Sequence, residues 1–295
     1  MKKLIVVFVL LLSVQAAYAN KFYEAVMIYS ETSFISDEKK TAFTPLRVAV
    51  FQDLAIPWNT KTVGGIDLGL LSTKVDTVYG FQVAMYAAAV ERLIGLQFVL
   101  GLAISTNLTG IQFGGAAYSF TEVNGLQISL AYSGAEGGFN GLQIAPLGAS
   151  FAEDTSYGLQ IAGVAGYADG LTGIQISGIL GGGNVKGLAV SPIRIMGDGK
   201  SKHLSGGGIN LSVFNYGVRN DDKYSFAGLM LSGFNIGNVD ITGIQVGIFN
   251  SASEVKGVQV GLINYASSLS GLQIGAINIA SNAPVLVLPV INFGF

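Results

Sequence analysis

Residues 95–98 read Gly-Leu-Gln-Phe, residues 110–113 read Gly-Ile-Gln-Phe, and residues 125–128 read Gly-Leu-Gln-Ile. This pattern of glycine, large apolar residue, glutamine and large apolar residue occurs ten times and holds ten of the twelve glutamines. Successive copies are 15, 15, 15, 16, 17, 15, 70, 14 and 14 residues apart, at Gln82, Gln97, Gln112, Gln127, Gln143, Gln160, Gln175, Gln245, Gln259 and Gln273. A short and nearly constant period indicates one structural unit that is stacked or paired repeatedly.

The same frame continues where glutamine is replaced. Three copies without glutamine bridge the long gap, at residues 187–190, 208–211 and 228–231. Upstream, residues 45–48 and 65–68 fit the frame with Arg47 and Asp67 in the place of glutamine. We call this place in each copy the glutamine position. The repeat therefore extends over most of the chain.

Within each unit the hydrophobic pattern has a period of two, which is typical of a β-strand. Around Gln97, the large residues on one side are Leu96, Phe98, Leu100, Leu102 and Ile104, and the residues on the other side are Gln97, Val99, Gly101, Ala103 and Ser105. Turn-forming and charged residues separate the strands. The sequence predicts an all-β chain of roughly sixteen strands. Residues 20–295 are predicted to form a single repetitive β domain.

The N-terminus has the pattern of a secretory signal peptide. Lys2 and Lys3 precede an apolar stretch at residues 4–14, and Ala17-Tyr18-Ala19 forms a cleavage site with small residues at its first and last positions. This is the order of the three regions of a signal peptide. We therefore expect residues 1–19 to be removed and the remainder to be exported.

The composition excludes several classes of function. The chain has no cysteine, which rules out thiol chemistry and cysteine-based metal sites. Its net charge of −2 gives no electrostatic reason to expect nucleic acid as a partner. Only 12% of the residues are charged, and the mean hydropathy is +0.53. This balance indicates a large apolar surface that is either buried or in contact with lipid.

One arrangement that fits these patterns is an up-and-down outer-membrane β-barrel of roughly sixteen strands. Membrane strands need about 9–11 residues, and the repeat spacing leaves roughly four to six more for each turn. Ile291, Phe293 and Phe295 form an alternating strand that ends in an aromatic residue. In this arrangement the apolar side contacts outer-membrane lipid, the glutamines line a lumen, and Phe295 engages the barrel assembly machinery. This is our first interpretation.

The asparagines support a second arrangement. Five of them follow their unit's glycine by seven residues, whereas the glutamine position follows it by two: Asn215, Asn235, Asn250, Asn264 and Asn278. In one straight strand this odd separation would direct the asparagines toward lipid, which is costly. A corner between the two positions removes the conflict and predicts a β-solenoid with coils of about 15 residues and stacked amides. Neighbouring coils would also bring Arg47 close to Asp67.

The unit Gly271-Leu272-Gln273-Ile274-Gly275-Ala276-Ile277-Asn278 resembles the G-L-Q-x-G-x-x-N units of a bacterial surface-repeat family known from spirochaetes and other Gram-negative bacteria. Residues 45–86 also resemble the N-terminal part of that family, whereas residues 187–236 depart from its pattern. The resemblance implies a location at the cell surface or in the outer envelope. It implies no catalytic residues.

The residues that usually carry catalysis are sparse. His203 is the only histidine and lies in a polar segment, so the usual zinc sites and cysteine–histidine pairs are poorly supported. Gly199-Lys200-Ser201 has Arg194 in place of the first glycine of a phosphate-binding loop. The carboxylate pairs Glu153-Asp154 and Asp221-Asp222 fit solvated turns. We predict no enzyme activity, no cofactor and no metal.

Arg47, Asp67 and the ten glutamines are the candidate functional residues, as the lining of a lumen or as the members of an internal ladder. We expect an outer-membrane surface protein that acts as a passive channel or as a structural envelope protein. The alternative is a secreted β-solenoid used for adhesion or scaffolding. Either would be exported to the outer membrane or cell surface of a Gram-negative-type bacterium.

Overall fold

A computed structural model describes residues 43–51, 54–57, 60–197, 205–217 and 224–294. The predictions for the signal peptide, His203, Asp221-Asp222 and Phe295 concern residues outside these ranges. The described residues form eighteen strands: Thr44–Phe51 (β1), Leu54–Ile56 (β2), Thr62–Gly69 (β3), Ser72–Ala84 (β4), Ala87–Val99 (β5), Leu102–Ser119 (β6), Val123–Ala135 (β7), Phe139–Ala145 (β8), Ala149–Ala162 (β9), Ala165–Ser177 (β10), Leu180–Val190 (β11), Ile193–Met196 (β12), Ser205–Gly217 (β13), Ser225–Gly237 (β14), Asp240–Val246 (β15), Phe249–Val260 (β16), Ile263–Ala280 (β17) and Val287–Gly294 (β18).

Neighbouring repeats stack in parallel, with equivalent residues side by side. Gly95 lies beside Gly80 and Gly110, and Gln97 lies beside Gln82 and Gln112. Parallel pairing of this kind continues from β3 to β17. The copies without glutamine keep the same register. The chain is therefore a β-solenoid of about 14 coils.

The predicted outer-membrane β-barrel is wrong, and the solenoid that was its alternative is the observed fold. An up-and-down barrel joins each strand to an antiparallel neighbour, whereas the consecutive repeats here are parallel. Alternation specifies which residues share a face but not the direction of the next strand, so it fits both folds. The division into eighteen strands also differs from the expected sixteen.

In each coil, polar and small residues face the interior on both sides of a corner. Gln97 and Val99 are buried, Phe98 and Leu100 are exposed, and Ala103 is buried on the far side of the corner. The predicted division is therefore confirmed for Leu96, Phe98 and Leu100 against Gln97 and Val99. It is wrong beyond the corner for Ile104, which was expected to face outward and is buried in a cluster with Ala89 and Tyr118. Apolar side chains four residues before the glutamine position, such as Leu93 and Leu108, form the core that runs between the coils.

The glycine of each repeat permits this close stacking. Gly125 has a φ of +135°, a conformation that side chains other than glycine rarely adopt. A Cβ atom on Gly125 would lie 2.1 Å from the carbonyl oxygen of Gly110 in the preceding coil. The recurring glycine is thus a requirement of parallel coils stacked in register.

Antiparallel strands close both ends of the described solenoid. The short β2 pairs with β1 at the N-terminal end, and β18 pairs with β17 at the C-terminal end. An uncovered edge strand would present unpaired backbone groups to other chains. In β18, Asn292 lies beside Gln273 and occupies the next glutamine position. The final coil is therefore capped by a strand that also continues the amide stack.

Candidate functional site

Seven consecutive glutamines form one buried ladder inside the N-terminal part of the solenoid. The side-chain nitrogen Nε2 of each glutamine after the first donates a hydrogen bond to Oε1 of the glutamine one coil earlier, at 2.6–3.0 Å. The members are Gln82, Gln97, Gln112, Gln127, Gln143, Gln160 and Gln175, all fully buried. Because every bond points the same way, the amide dipoles add along the solenoid axis.

Charged residues lie at the two ends of this ladder. At the N-terminal end, Gln82 Nε2 donates to Asp67 Oδ2 at 2.9 Å. At the other end, Arg194 Nη1 donates to Gln175 Oε1. The free amide donor at one end, on Gln82, therefore contacts the anionic Asp67, and the free amide acceptor at the other end, on Gln175, contacts the cationic Arg194. These signs are the ones that stabilise aligned dipoles, as they do at the ends of helices.

Asp67 anchors a compact buried cluster. Arg47 Nη1 lies 3.1 Å from Asp67 Oδ1, and the two side chains are 3% and 0% exposed. The hydroxyl of Thr73 donates to Asp67 Oδ2 at 2.7 Å and accepts from Arg47. The proximity of Arg47 to Asp67 expected for neighbouring coils is observed. An ion pair this deep is held by the hydrogen bonds around it.

Arg194 reaches the ladder from the second strand of its coil. It lies beside Asn215 in the register of β12 and β13 and also donates to the backbone oxygen of Gly183 at 3.0 Å. Burial lowers the pKa of the Arg194 guanidinium to about 10. The spacing of residues in the sequence does not indicate that Arg194 contacts Gln175, because the contact joins different positions of different coils.

The C-terminal part holds two ladders. Gln245, Gln259, Gln273 and Asn292 repeat the first arrangement. Each member after Gln245 donates to the one before it, at 2.7, 2.8 and 3.2 Å. The second ladder comprises Asn215, Asn235, Asn250, Asn264 and Asn278, in which each asparagine donates to the following coil at 2.7–3.2 Å. The two rows of amides therefore have opposed dipoles, whereas the N-terminal glutamine ladder lacks an opposing row and ends on charges.

Three other residues separate the two glutamine ladders. Ala189, Asn210 and Met230 fill the glutamine position between Gln175 and Gln245. The Asn210 amide donates to Met196 Sδ at 3.4 Å, and its oxygen has no hydrogen-bond partner within the described residues. The stack of coils is continuous here, but the amide ladder is not.

An aromatic row lies on the second side of the coils. The rings of Tyr118, Tyr132, Phe151 and Tyr167 follow one another with centroid separations of 6.4, 5.7 and 6.4 Å. The Tyr118 hydroxyl donates to the Glu136 carboxylate. Burial, and then the bond to Glu136, raises the pKa of Tyr118 well above its ordinary value. Burial likewise raises the pKa of Tyr132.

A continuous apolar face runs along the outside of the solenoid. It consists of the outward residues immediately before and after the glutamine position, together with the two corner residues that follow. The residue before is Leu, Ile, Val or Phe in every coil from Leu46 to Leu272, and so is the residue after, from Val48 to Ile274. Large members are strongly exposed, for example Phe81 at 54% and Leu100 at 61%.

The charges lie away from this apolar face. Apart from Arg47, Asp67 and Arg194, every charged residue in the described ranges lies three to eight residues before its glutamine position. Examples are Glu91, Arg92 and Glu122. The solenoid is therefore amphipathic as a whole molecule, with one charge-free side and one charged side.

Within the part of the chain that the structure describes, no three His, Cys, Asp or Glu side chains gather as a metal site. The same ranges contain no helix suited to crossing a bilayer. Searches against protein-family models, curated proteins and solved structures found no match to this chain.

Proposed function

We propose that this protein is an exported, non-enzymatic β-solenoid that serves as a structural scaffold on the bacterial cell surface. The observation that carries the proposal is the apolar face, which extends over every described coil on one side of a stacked and capped fold. Exposed apolar patches larger than a few hundred Å² generally mark interaction sites. A long, regular face is suited to holding the molecule against an extended partner.

The interior supports a structural role over the passage of ions. Its centre is filled by the amide ladders and by apolar residues such as Leu93 and Val123. Arg47 and Asp67 neutralise each other inside the first coils. These groups hold the coils together. The ladder amides are hydrogen-bonded to one another, to backbone carbonyls and to serine hydroxyls, so they offer no open path to a solute.

The proposed location rests on two sequence features. One is the signal-like N-terminus, and the other is the resemblance of residues 271–278 to the surface-repeat family, of which we propose the chain is a member. The barrel assembly machinery is no longer a proposed partner, because the expected contact through Phe295 depended on the barrel.

Fractionation of the native cells tests this proposal. We expect the protein in the envelope fraction and labelled by a membrane-impermeant biotin reagent on intact cells. A matched variant without residues 1–19 should remain in the cytoplasm and stay unlabelled. Recovery of the full-length protein in the cytoplasm, unlabelled on intact cells, would contradict the proposed function.

A further inference from the structure

The apolar face has almost no capacity for side-chain hydrogen bonding. The residues on either side of the glutamine position are aliphatic or Phe throughout the described coils. The two corner residues lie three and four positions after the glutamine position. In the described coils they are apolar residues, glycine or proline, and the Tyr86 hydroxyl is the one polar side-chain group among them. A surface with this composition cannot recognise a polar partner through its side chains.

The face is also large. With coils about 4.8 Å apart and about five residues of roughly 3.3 Å across, about 14 coils give an area on the order of 1,100 Å². This exceeds the few hundred Å² that soluble monomers usually leave exposed. An exposed apolar area of this size indicates that the face contacts a partner or a membrane.

The backbone beneath the face is already satisfied. Residues on both sides of the glutamine position pair with the coils above and below, as Leu96 and Phe98 do with Ile111 and Phe113. Unpaired N–H and C=O groups are what prevents most backbone from entering hydrocarbon. Stacked and capped coils remove that obstacle without closing into a barrel.

These properties favour hydrocarbon over a protein as the cover. Protein interfaces carry about one hydrogen bond per 100–200 Å², so a partner on this face would be expected to form about five to ten. Leu, Ile, Val and Phe are the residues that insert most favourably into hydrocarbon. Three residues before the glutamine position, Tyr79, Tyr157, Lys186 and Lys256 border the face with long side chains that end in polar groups, as interfacial residues do.

We infer that the apolar face lies on a lipid bilayer, with its side chains in the outermost hydrocarbon and the charged side of the solenoid in water. This inference names the partner of the proposed scaffold and therefore rests on the proposed function. The protein attaches to one leaflet and does not cross the membrane. Because the face carries no charge, attachment depends on acyl chains and is insensitive to salt.

Flotation with phosphatidylcholine vesicles tests the inference on purified residues 20–295. We expect the protein to float with the vesicles equally at low salt and at about 1 M salt, where charge interactions are screened. Vesicle-free protein should stay at the bottom of the gradient. Failure of the folded native protein to float would overturn the inference, and so would binding that is lost at high salt.

Charged substitutions locate the contact. The triple variant Phe98→Glu, Ile128→Glu and Ile161→Glu lies on the face, and we expect its vesicle partition coefficient to fall by at least about tenfold. The matched control, Asn107→Glu, Ser225→Glu and Ser267→Glu, lies on exposed residues of the charged side, five or six residues before the glutamine position, and should bind as the native protein does. Equal losses in both would contradict attachment through this face.

Two further measurements keep the outcomes distinct. Circular dichroism and melting verify that each variant is folded. If the triple variant is not, Phe98→Glu alone is compared with Asn107→Glu. Sedimentation equilibrium reports self-association: a native dimer that fails to float, with a monomeric face variant, would assign the face to a second copy and overturn the lipid inference. Such a result would be compatible with the proposed scaffold function. Recovery of the protein in the cytoplasm of the native cells would instead contradict the scaffold function, whether or not the purified protein binds vesicles.

Discussion

Gln82 donates a hydrogen bond from its side-chain nitrogen to Asp67 Oδ2 across 2.9 Å, so the first amide of a seven-glutamine ladder meets a buried carboxylate. The last amide, on Gln175, accepts from Arg194. A row of aligned amides behaves as one extended dipole, and these charges have the signs that stabilise it. In the C-terminal part of the solenoid, an asparagine ladder has the opposite direction. There the second glutamine ladder ends on the neutral Asn292 and not on a charged residue.

The middle of the ladder is predicted to be sensitive to loss of an amide. Gln127 donates to Gln112 and accepts from Gln143 and Ser133 at 2.9–3.0 Å. Because Gln127→Leu leaves buried partners unpaired, we expect the free energy of unfolding to fall by at least about 2 kcal/mol. The control is Asn124→Leu. The Asn124 side chain accepts a solvent-exposed hydrogen bond from Asn140, so its loss should change the free energy of unfolding by less than about 0.5 kcal/mol. Equal losses in urea denaturation would count against a ladder that stabilises the fold.

The buried ion pair is predicted to show strong coupling. Asp67→Asn keeps an oxygen that can accept from Gln82 but removes the carboxylate from Arg47, which should cost about 3–5 kcal/mol of stability. Arg47→Met with Asp67→Asn should cost less than the sum of the two single changes, by about 1–3 kcal/mol. A double-mutant cycle by chemical denaturation measures this term. Additive losses would mean that the 3.1 Å contact contributes no net interaction.

The glycine of the repeat is predicted to tolerate no side chain. Gly125→Ala places a methyl group 2.1 Å from a backbone oxygen at a φ of +135°, so we expect loss of cooperative folding. Gly233→Ala is the matched control, because its Cβ would approach no closer than 3.0 Å to Val213 O and its φ is not in the left-handed region. Thermal melting by circular dichroism compares the two. A native-like melt for Gly125→Ala would contradict the stacking described here.

Stability is predicted to fall at alkaline pH. Burial first, and then Glu136, raises the pKa of Tyr118 above its ordinary 10.0, and burial raises the pKa of Tyr224 to about 12. A raised folded-state pKa contributes stability that is fully present below about pH 10 and is lost as the pH rises beyond it. Denaturation midpoints should therefore fall between about pH 10 and pH 12. Tyr118→Phe should lessen the fall, and an unchanged fall would exclude Tyr118 as a cause.

Much of the local structure follows from the sequence. The alternation around Gln97 correctly separates the buried Gln97 and Val99 from the outward Leu96 and Phe98. The odd spacing between the glutamine and asparagine positions correctly indicates a corner, since Gln259 and Asn264 are both buried with Leu262 outside them. Each of these inferences depends only on neighbours along the chain.

The direction of strand pairing does not follow from alternation, and this is why the barrel was wrong. The constant offset of glycine from glutamine carries the missing information. In an antiparallel meander the glycines of successive strands would lie toward opposite ends and would have no reason to recur. In parallel coils Gly110 and Gly125 are stacked, and each must leave room for the other's backbone.

Other features of the site could not be read from residue spacing. Arg194 reaches Gln175 from a different row of the coil, so the contact depends on the width of the solenoid. The opposite directions of the glutamine and asparagine ladders depend on how each amide is rotated, which residue type does not specify.

Spacing between coils tests the parallel solenoid most directly. Thr109, Thr172 and Thr242 are exposed members of one row, and the pairing register places four coil steps between the first two and four between the last two. Since the chain has no cysteine, the three paired Thr→Cys variants can be spin-labelled specifically and their distances measured by pulsed electron paramagnetic resonance. We predict about 19 Å for each adjacent pair and about 38 Å for Thr109→Cys with Thr242→Cys. If the distance between the labels at positions 109 and 242 were much shorter than twice the distance of an adjacent pair, the sheet would curve back on itself and the solenoid would be contradicted.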